Sequence, residues 1–266
     1  MGLVDTEAII LRTYNLSEAD KIAVCLTRKT GLVRGVARGA RRLKSRFGAG
    51  LEPFTHVNLT YFEKEGRELV TLKQTEIVRS HFEWAARSEA LGVLSYLVEL
   101  AFEFAPPHEA DERLFRVVRA CLEAAAAKPE ALRGVSVYYE LWMLKIAGFL
   151  PELRRCGGCG RAFEALPGRA YATFDGGFRC EACRREGDYP FEPEAYAQMS
   201  RMQSEGPARW AETFEGLQRP ARQRLSELTR RLLRRALEKD LKGPSTLSAL
   251  AGAPTTPSAK PEPGAL

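Results

Sequence analysis

His56-Val57-Asn58-Leu59-Thr60-Tyr61 alternates polar and apolar side chains with a period of two, which is the pattern of a β-strand with one buried face. Upstream, Ile22, Val24 and Leu26 alternate with Ala23 and Cys25 in the same way. Extending outward from these two stretches predicts strands at about 6–14, 20–27, 31–38, 55–63 and 68–79, with turns at Asn15–Ser17 and around Gly66. Five short strands within residues 1–79 predict a small closed or partly open barrel, with the OB-fold the leading candidate. The wide gap between the third and fourth strands is where that fold carries an extra helix or loop.

After residue 80 the period changes. Leu91, Leu94, Val98 and Ala101 recur at helical spacing, as do Leu114, Val117, Val118 and Cys121. Tyr138, Leu141, Trp142 and the run to Phe149 predict a third helix, stopped by Gly148 and Pro151. Tyr96, Phe102, Phe115, Tyr138 and Trp142 are expected in the core rather than as base-stacking platforms. Helical signals return at about 193–203 and 207–241. The expected organisation is α+β: an OB-fold barrel (1–79), a helical domain (80–242) carrying an inserted metal module (151–189), and a tail (243–266). The tail is rich in Pro, Ser, Thr and Ala, its only large apolar residues being three leucines, and is expected to be disordered.

Charge is concentrated. Arg28, Lys29, Arg34, Arg38, Arg41, Arg42, Lys44 and Arg46 form a nineteen-residue run without one acidic residue, punctuated by Gly31, Gly35 and Gly39. The run carries +8 and Arg219–Lys242 a further +6, in a chain whose net charge is +6, so everything else sums to −8. A cationic, glycine-punctuated loop on a β-scaffold suits contact with a phosphate backbone without sequence readout. A pair of solvated basic faces is the plainer alternative.

Cys156-Gly-Gly-Cys159 is followed, after twenty intervening residues, by Cys180-Glu-Ala-Cys183. Such spacing fits a four-thiolate zinc site. With every position filled by protein, one structural Zn2+ per chain is expected. Free thiols and a redox pair are the alternatives, although the βαβ setting of a redox pair is missing. The neighbouring Arg154, Arg155, Arg161, Arg179, Arg184 and Arg185 offset the site's negative charge. Cys25 and Cys121 fall on apolar faces and are expected to be buried.

No G-x4-G-K-[ST], H-E-x-x-H or deaminase pattern occurs, and His56, His81 and His108 are scattered singly. Carboxylates are not grouped for metal-dependent hydrolysis. A binding protein rather than an enzyme is therefore expected. It should be cytoplasmic, without signal peptide or membrane span.

Gly31-Leu-Val-Arg-Gly-Val-Ala-Arg-Gly-Ala-Arg-Arg42, Lys44-Ser-Arg46 and Leu51-Glu-Pro-Phe-Thr55, with Glu7–Arg12 and Ser17–Asp20, resemble the N-terminal signature of the RecO family of bacterial recombination mediators. The resemblance spans about residues 5–240, and the cysteines match its zinc-bearing members. It implies binding of single- and double-stranded DNA, annealing of strands coated with single-stranded DNA-binding protein (SSB), and, with RecR, loading of RecA in gap and double-strand-break repair (the RecF pathway). Carried over onto this chain, the DNA contacts are Arg34, Arg38, Arg41, Arg42, Lys44 and Arg46. Arg12 and Lys21 would extend that surface, and Phe47 and Phe54 either stack on bases or belong to the core. A zinc-ribbon regulator without annealing activity is the competing reading.

The last helix presents Leu225, Leu228, Leu232 and Ala236 on one face, with Arg224, Arg231, Arg234 and Arg235 away from it. The resemblance implies that the acidic, hydrophobic-ended SSB tail docks on the helical domain. Arg224, Arg231 and Arg235 beside an apolar groove are the expected seat, with a helix simply packed by its leucines as the alternative.

Overall fold

The computed structural model describes residues 2–64, 66, 68–85, 88–105, 109–163 and 169–237. Five strands, β1 (Gly2–Asn15), β2 (Lys21–Thr27), β3 (Gly31–Ala37), β4 (His56–Glu63) and β5 (Leu69–Arg79), close into a barrel of order β1-β2-β3-β5-β4. All pairings are antiparallel except β3 with β5. The strand alternation therefore predicts the fold class correctly. β1 starts earlier than its apolar pattern because Gly2–Asp5 pair with Thr60–Glu63 of β4.

The barrel is buried on two sides. Ala8, Ile10, Ala23, Cys25, Val33, Val57, Leu59, Tyr61, Val70 and Leu72 fill its interior. Ile9, Leu11, Val24, Leu26 and Leu32 face the other way and join the core of the helical region. In β2 the smaller set, Ala23 and Cys25, thus lines the narrow barrel, while the larger Val24 and Leu26 meet the helices. Between β3 and β4 lies a loop of turns ending in a short 3-10 turn, Gly48–Leu51. Phe47 and Leu51 plug the barrel interior, whereas Phe54 packs into the helical core. Neither ring is an exposed platform for bases. Phe54 has φ 67, a conformation costing a bulky residue roughly 1–2 kcal/mol. Hydrogen bonds from Phe54 N to Ile10 O (2.8 Å) and Ile10 N to Thr55 O (2.9 Å) hold it there, at the point where β1 slips register between Ile10 and Arg12.

The helical region contains α1 (Phe82–Ala85), α2 (Ser88–Phe104), α3 (Glu112–Ala127) and α4 (Leu132–Ile146). A small sheet of order β7-β6-β8 follows, from β6 (Ala170–Ala172), β7 (Phe178–Arg179) and β8 (Tyr189–Phe191). Then come α5 (Pro193–Arg201), α6 (Pro207–Glu215) and α7 (Arg219–Leu237). The long helix expected at 207–241 is two helices, because Gly216 ends α6 and Pro220 sits in the first turn of α7. Asp111 caps α3 by accepting from Arg113 N and Leu114 N. Of the aromatics expected in the core, Tyr96, Phe115 and Tyr138 are buried, and Phe102 and Trp142 are partly buried against them. In the middle of the bundle the Glu140 carboxylate accepts from Tyr96 Oη (2.7 Å) and Thr229 Oγ1 (2.8 Å), tying α2, α4 and α7 together. The tail at 243–266 lies outside the described residues.

Barrel and helices are locked at their seam. Arg28 donates to Glu112 at 2.7 and 2.8 Å and to Glu7 at 2.7 Å. The His56 ring sits edge-on to Phe115, centroids 6.1 Å apart. Gly31 has φ +68, and a Cβ there would come 2.1 Å from the Glu109 carbonyl oxygen, so this approach requires glycine.

Candidate nucleic-acid interface and metal centre

The loop after β3 is built on short hydrogen-bonded turns: Ala40 N to Ala37 O, Arg42 N to Gly39 O (3.1 Å) and Ser45 N to Arg42 O (3.0 Å). It is also tied to the β1–β2 connection. Gly39 N donates to Asp20 Oδ1 (2.8 Å), Arg41 N to Ala19 O (3.0 Å) and Arg41 Nη1 to Ser17 O (2.9 Å). The Ser17–Asp20 segment is thus the anchor of the basic loop. Arg34, Arg38, Arg41, Arg42, Lys44 and Arg46 are all exposed. Arg34 lies 4.0 Å from Glu68, and the Arg46 guanidinium sits 5.1 Å from the centre of the Phe47 ring. Among the described residues, Arg38, Arg41, Arg42, Lys44 and Arg46 have no carboxylate within 4.0 Å. Uncompensated cations held at one end of a barrel focus a positive field.

Other members of the run do something else. Arg28 is the seam clamp, and Lys29 Nζ donates to Asp5 O at 2.7 Å. Lys21 pairs with Glu52 at 3.4 Å. Arg12 lies over the Phe102 ring of α2 at 4.8 Å, on the helical side of the barrel.

The four cysteines converge, with all their sulfurs within 4.8 Å of one another. Cys156 Sγ is 3.7 Å from Cys180 Sγ, and Cys159 Sγ is 4.0 Å from it. Four thiolates at metal bonds of ~2.3 Å would stand about 3.8 Å apart, so the donor set fits a tetrahedral ion. Gly158 N and Cys180 N each donate to Cys156 Sγ at 3.3 Å. Burial pushes the Cys156 thiol up, but amide donation from Cys180, Cys159 and Gly158 prevails and lowers it to about 6. The Arg161 amide and side chain lower Cys159. Hydrogen bonding with Cys180, followed by desolvation, pushes Cys183 up to about 12. A Cβ on Gly158 would stand 2.7 Å from Cys183 Cβ and 3.0 Å from its sulfur, so the glycine leaves room for the fourth ligand. Cys25 and Cys121 are fully buried elsewhere, their thiols pushed up by desolvation.

Two arginines of α7, Arg231 and Arg235, are turned to this module. Arg231 Nη2 donates to Thr173 O (3.2 Å) and to the Tyr189 hydroxyl, over whose ring its guanidinium lies at 5.1 Å. Arg235 Nη1 donates to Asp175 O at 3.0 Å. Arg224 is 3.8 Å from Glu192 and 3.7 Å from Glu227. Leu225, Leu228 and Leu232 are buried, so among the described residues these leucines leave no open apolar groove beside the row. A different place has that character. Arg113, Arg116 and Lys145 rim a cleft of about 500 Å³ whose walls include Val117, Tyr138, Trp142 and Ile146. Its sequence signals are weak: Arg113 and Arg116 one helical turn apart, and Trp142 three residues before Lys145, whose ammonium lies 4.7 Å from the indole centre. Among the described residues no helix is long and apolar enough to cross a membrane.

Two family models cover the chain: recombination protein O N terminal over residues 1–81 and recombination protein O C terminal over residues 86–244. The chain is 33% identical to the DNA repair protein RecO of Koribacter versatilis over 90% of its own length and 96% of that protein. It is 34% identical to that of Symbiobacterium thermophilum (71% of this chain, 74% of the relative) and 38% identical to that of a Nocardioides species (72% and 78%). With an OB-like barrel, a helical region and a thiolate cluster fit for a metal all in place, the chain belongs to the RecO family of DNA repair proteins.

Proposed function

We propose that the protein is a recombination mediator without covalent chemistry: it binds single- and double-stranded DNA, anneals complementary SSB-coated strands and, with RecR, helps load RecA at gaps and double-strand breaks. The observation that carries this reading is the exposed, uncompensated cation cluster Arg38, Arg41, Arg42, Lys44 and Arg46, with Arg34 beside it, on a barrel of a DNA repair family. Strands repel each other, and a surface that neutralises phosphates while leaving bases free lowers that barrier without ATP. Six phosphate contacts would make affinity fall by about 10³-fold or more between 50 and 200 mM salt.

Cys156, Cys159, Cys180 and Cys183 would hold one Zn2+. Its contribution is structural, because four protein thiolates leave no position for substrate. Membership of a DNA repair family fits a cytoplasmic, nucleoid-associated protein.

For the SSB tail, the row Arg224, Arg231 and Arg235 is one seat, but Arg231 and Arg235 already bond to the metal module and Arg224 is 3.8 Å from Glu192. The Arg113–Arg116–Lys145 cleft sets cations beside an apolar wall, with Arg113 paired, among the described residues, only to the neighbouring Asp111 at 3.2 Å, and is the better match for an acidic peptide with a hydrophobic end. Charge reversal of Arg113 and Arg116 should weaken tail-peptide binding more than reversal of Arg231 and Arg235 does; the opposite order returns the seat to α7.

The deciding experiment is annealing of complementary oligonucleotides coated with cognate SSB, without ATP. Acceleration by the protein, lost in Arg38→Glu/Arg41→Glu/Arg42→Glu, is the expected result. DNA binding without acceleration would favour the zinc-ribbon regulator.

A further inference from the structure

Leu43 stands in the middle of the cationic loop with its side chain fully exposed, at 108% of the reference area. A single exposed leucine is ordinary. This one differs in its setting. Arg41, Arg42, Lys44 and Arg46 surround it in sequence and are themselves exposed. The turn closed by Arg42 N to Gly39 O precedes it, and the turn closed by Ser45 N to Arg42 O encloses it. The loop's base is fastened through Gly39 N to Asp20 and Arg41 N to Ala19 O. The apolar side chain is therefore presented on a braced apex.

We propose that Leu43 is an apolar wedge that enters an interrupted base stack, so that the loop prefers the edge of a gap or a single-strand/double-strand junction to continuous duplex. The proposal rests on the DNA-binding reading of the loop and adds a structural preference that charge cannot supply. An aliphatic side chain has no hydrogen bond to offer and reads no sequence; it can only fill the space between base planes. Inserting it into intact duplex requires unstacking a step, whereas at a junction the stack is already broken and insertion is easier. Phosphates on either side would be neutralised by Arg41, Arg42 and Lys44 while the leucine fills the step. An anionic membrane would also attract this loop, but one leucine offers far less apolar surface than interfacial binding needs.

The test uses the full chain with two DNAs carrying the same number of phosphates, one a continuous duplex and one a tailed duplex, each with 2-aminopurine at the corresponding position (the junction in the tailed duplex). The wild type should prefer the junction by about 10-fold, the scale expected for burying one leucine, and should brighten the 2-aminopurine by unstacking it. Leu43→Ala should lose both the preference and the brightening, while keeping the same salt dependence because no cation is removed. Leu43→Trp should keep the preference, with its fluorescence quenched by stacking on bases. Junction preference and brightening that survive in Leu43→Ala would overturn the wedge. So would a Leu43→Trp signal that responds to phosphatidylserine vesicles and not to DNA. If Arg38→Glu/Arg41→Glu/Arg42→Glu leaves DNA affinity intact, the loop is not the DNA site, and that failure is read separately from the behaviour of Leu43.

Discussion

The loop after β3 and the helix α7 carry similar densities of arginine, yet the protein uses them differently. In the loop, Arg38, Arg42 and Lys44 face solvent with no carboxylate within 4.0 Å among the described residues. On α7, Arg231 and Arg235 reach backbone carbonyls at Thr173 and Asp175, and Arg224 lies between Glu192 and Glu227. A cation already bonded to protein has to break that bond before it can meet a phosphate, so equal charge in sequence does not mean equal affinity for DNA. The lesson is that acceptors within reach, rather than the count of arginines, separate a ligand surface from an internal clamp.

The strongest way to break this contrast is to remove the metal. Structural zinc sites of four thiolates contribute on the order of 10 kcal/mol or more to local folding, and the described part of the module anchors itself to the core through few large side chains, chiefly Leu153, Phe178 and Phe191. Chelation should raise hydrogen exchange throughout this segment while the barrel strands keep their protection. Arg231 and Arg235 would then lose their carbonyl partners, and α7 should become a second free basic face. The chelated protein is therefore expected to bind DNA with a steeper salt dependence than the holo form. An unchanged slope would mean that the arginines of α7 stay engaged without the module.

Next in size is charge reversal of the loop. Arg38→Glu/Arg41→Glu/Arg42→Glu should weaken binding to single-stranded DNA by roughly 10²–10³-fold at low salt and flatten the slope of log affinity against log salt by about 2, at roughly 0.7 per lost contact. The matching change on α7, Arg231→Ala, should do neither. It should instead lower stability by about 1–3 kcal/mol, because the Thr173 carbonyl and the Tyr189 hydroxyl each lose a charged donor. Thermal unfolding and a salt titration on the two variants sort them. A loss of DNA affinity in Arg231→Ala equal to that of the loop variant would erase the contrast.

The division between these regions was only partly legible in the sequence. Alternation at His56–Tyr61 and Ala23–Leu26 reveals strands because a pleated ribbon sorts neighbours onto opposite faces. It does not say that both faces of β2 are buried, since Val24 and Leu26 serve a core assembled with residues a hundred positions away. The cysteine ligands were legible because two intervening residues bring paired sulfurs to one ion, and that geometry is local. The role of Arg28 was not, because its acceptors are Glu7 and Glu112, 21 and 84 residues distant. The same holds for Arg231, whose partner Thr173 lies 58 residues away. The single helix expected at 207–241 is broken between α6 and α7, where Gly216 and Pro220 are the local signals.

The smallest effect concerns the third kind of basic residue, the seam clamp Arg28. Its hydrogen bonds lead the causes that lower the Glu112 carboxyl below its ordinary 4.5. In Glu7, burial pushes the carboxyl up, but hydrogen bonds from Arg28 and His56 overcome it and leave the group lowered. A carboxylate with a depressed folded pKa releases its proton more readily in the folded state. Its contribution to stability is therefore complete above the ordinary value near 4.5 and is lost as pH falls through the lower folded value. Arg28 is half-exposed, at 45% side-chain accessibility, so solvent screening keeps the effect slight. Glu112→Gln should make unfolding a little less dependent on pH below 4.5 and leave stability at pH 7 nearly unchanged. DNA affinity should be unaffected, because Arg28 lies at the seam and outside the braced loop. If Glu112→Gln instead strengthened DNA binding, Arg28 would be a cation restrained from the phosphate backbone, and it would belong with the loop rather than with the clamps.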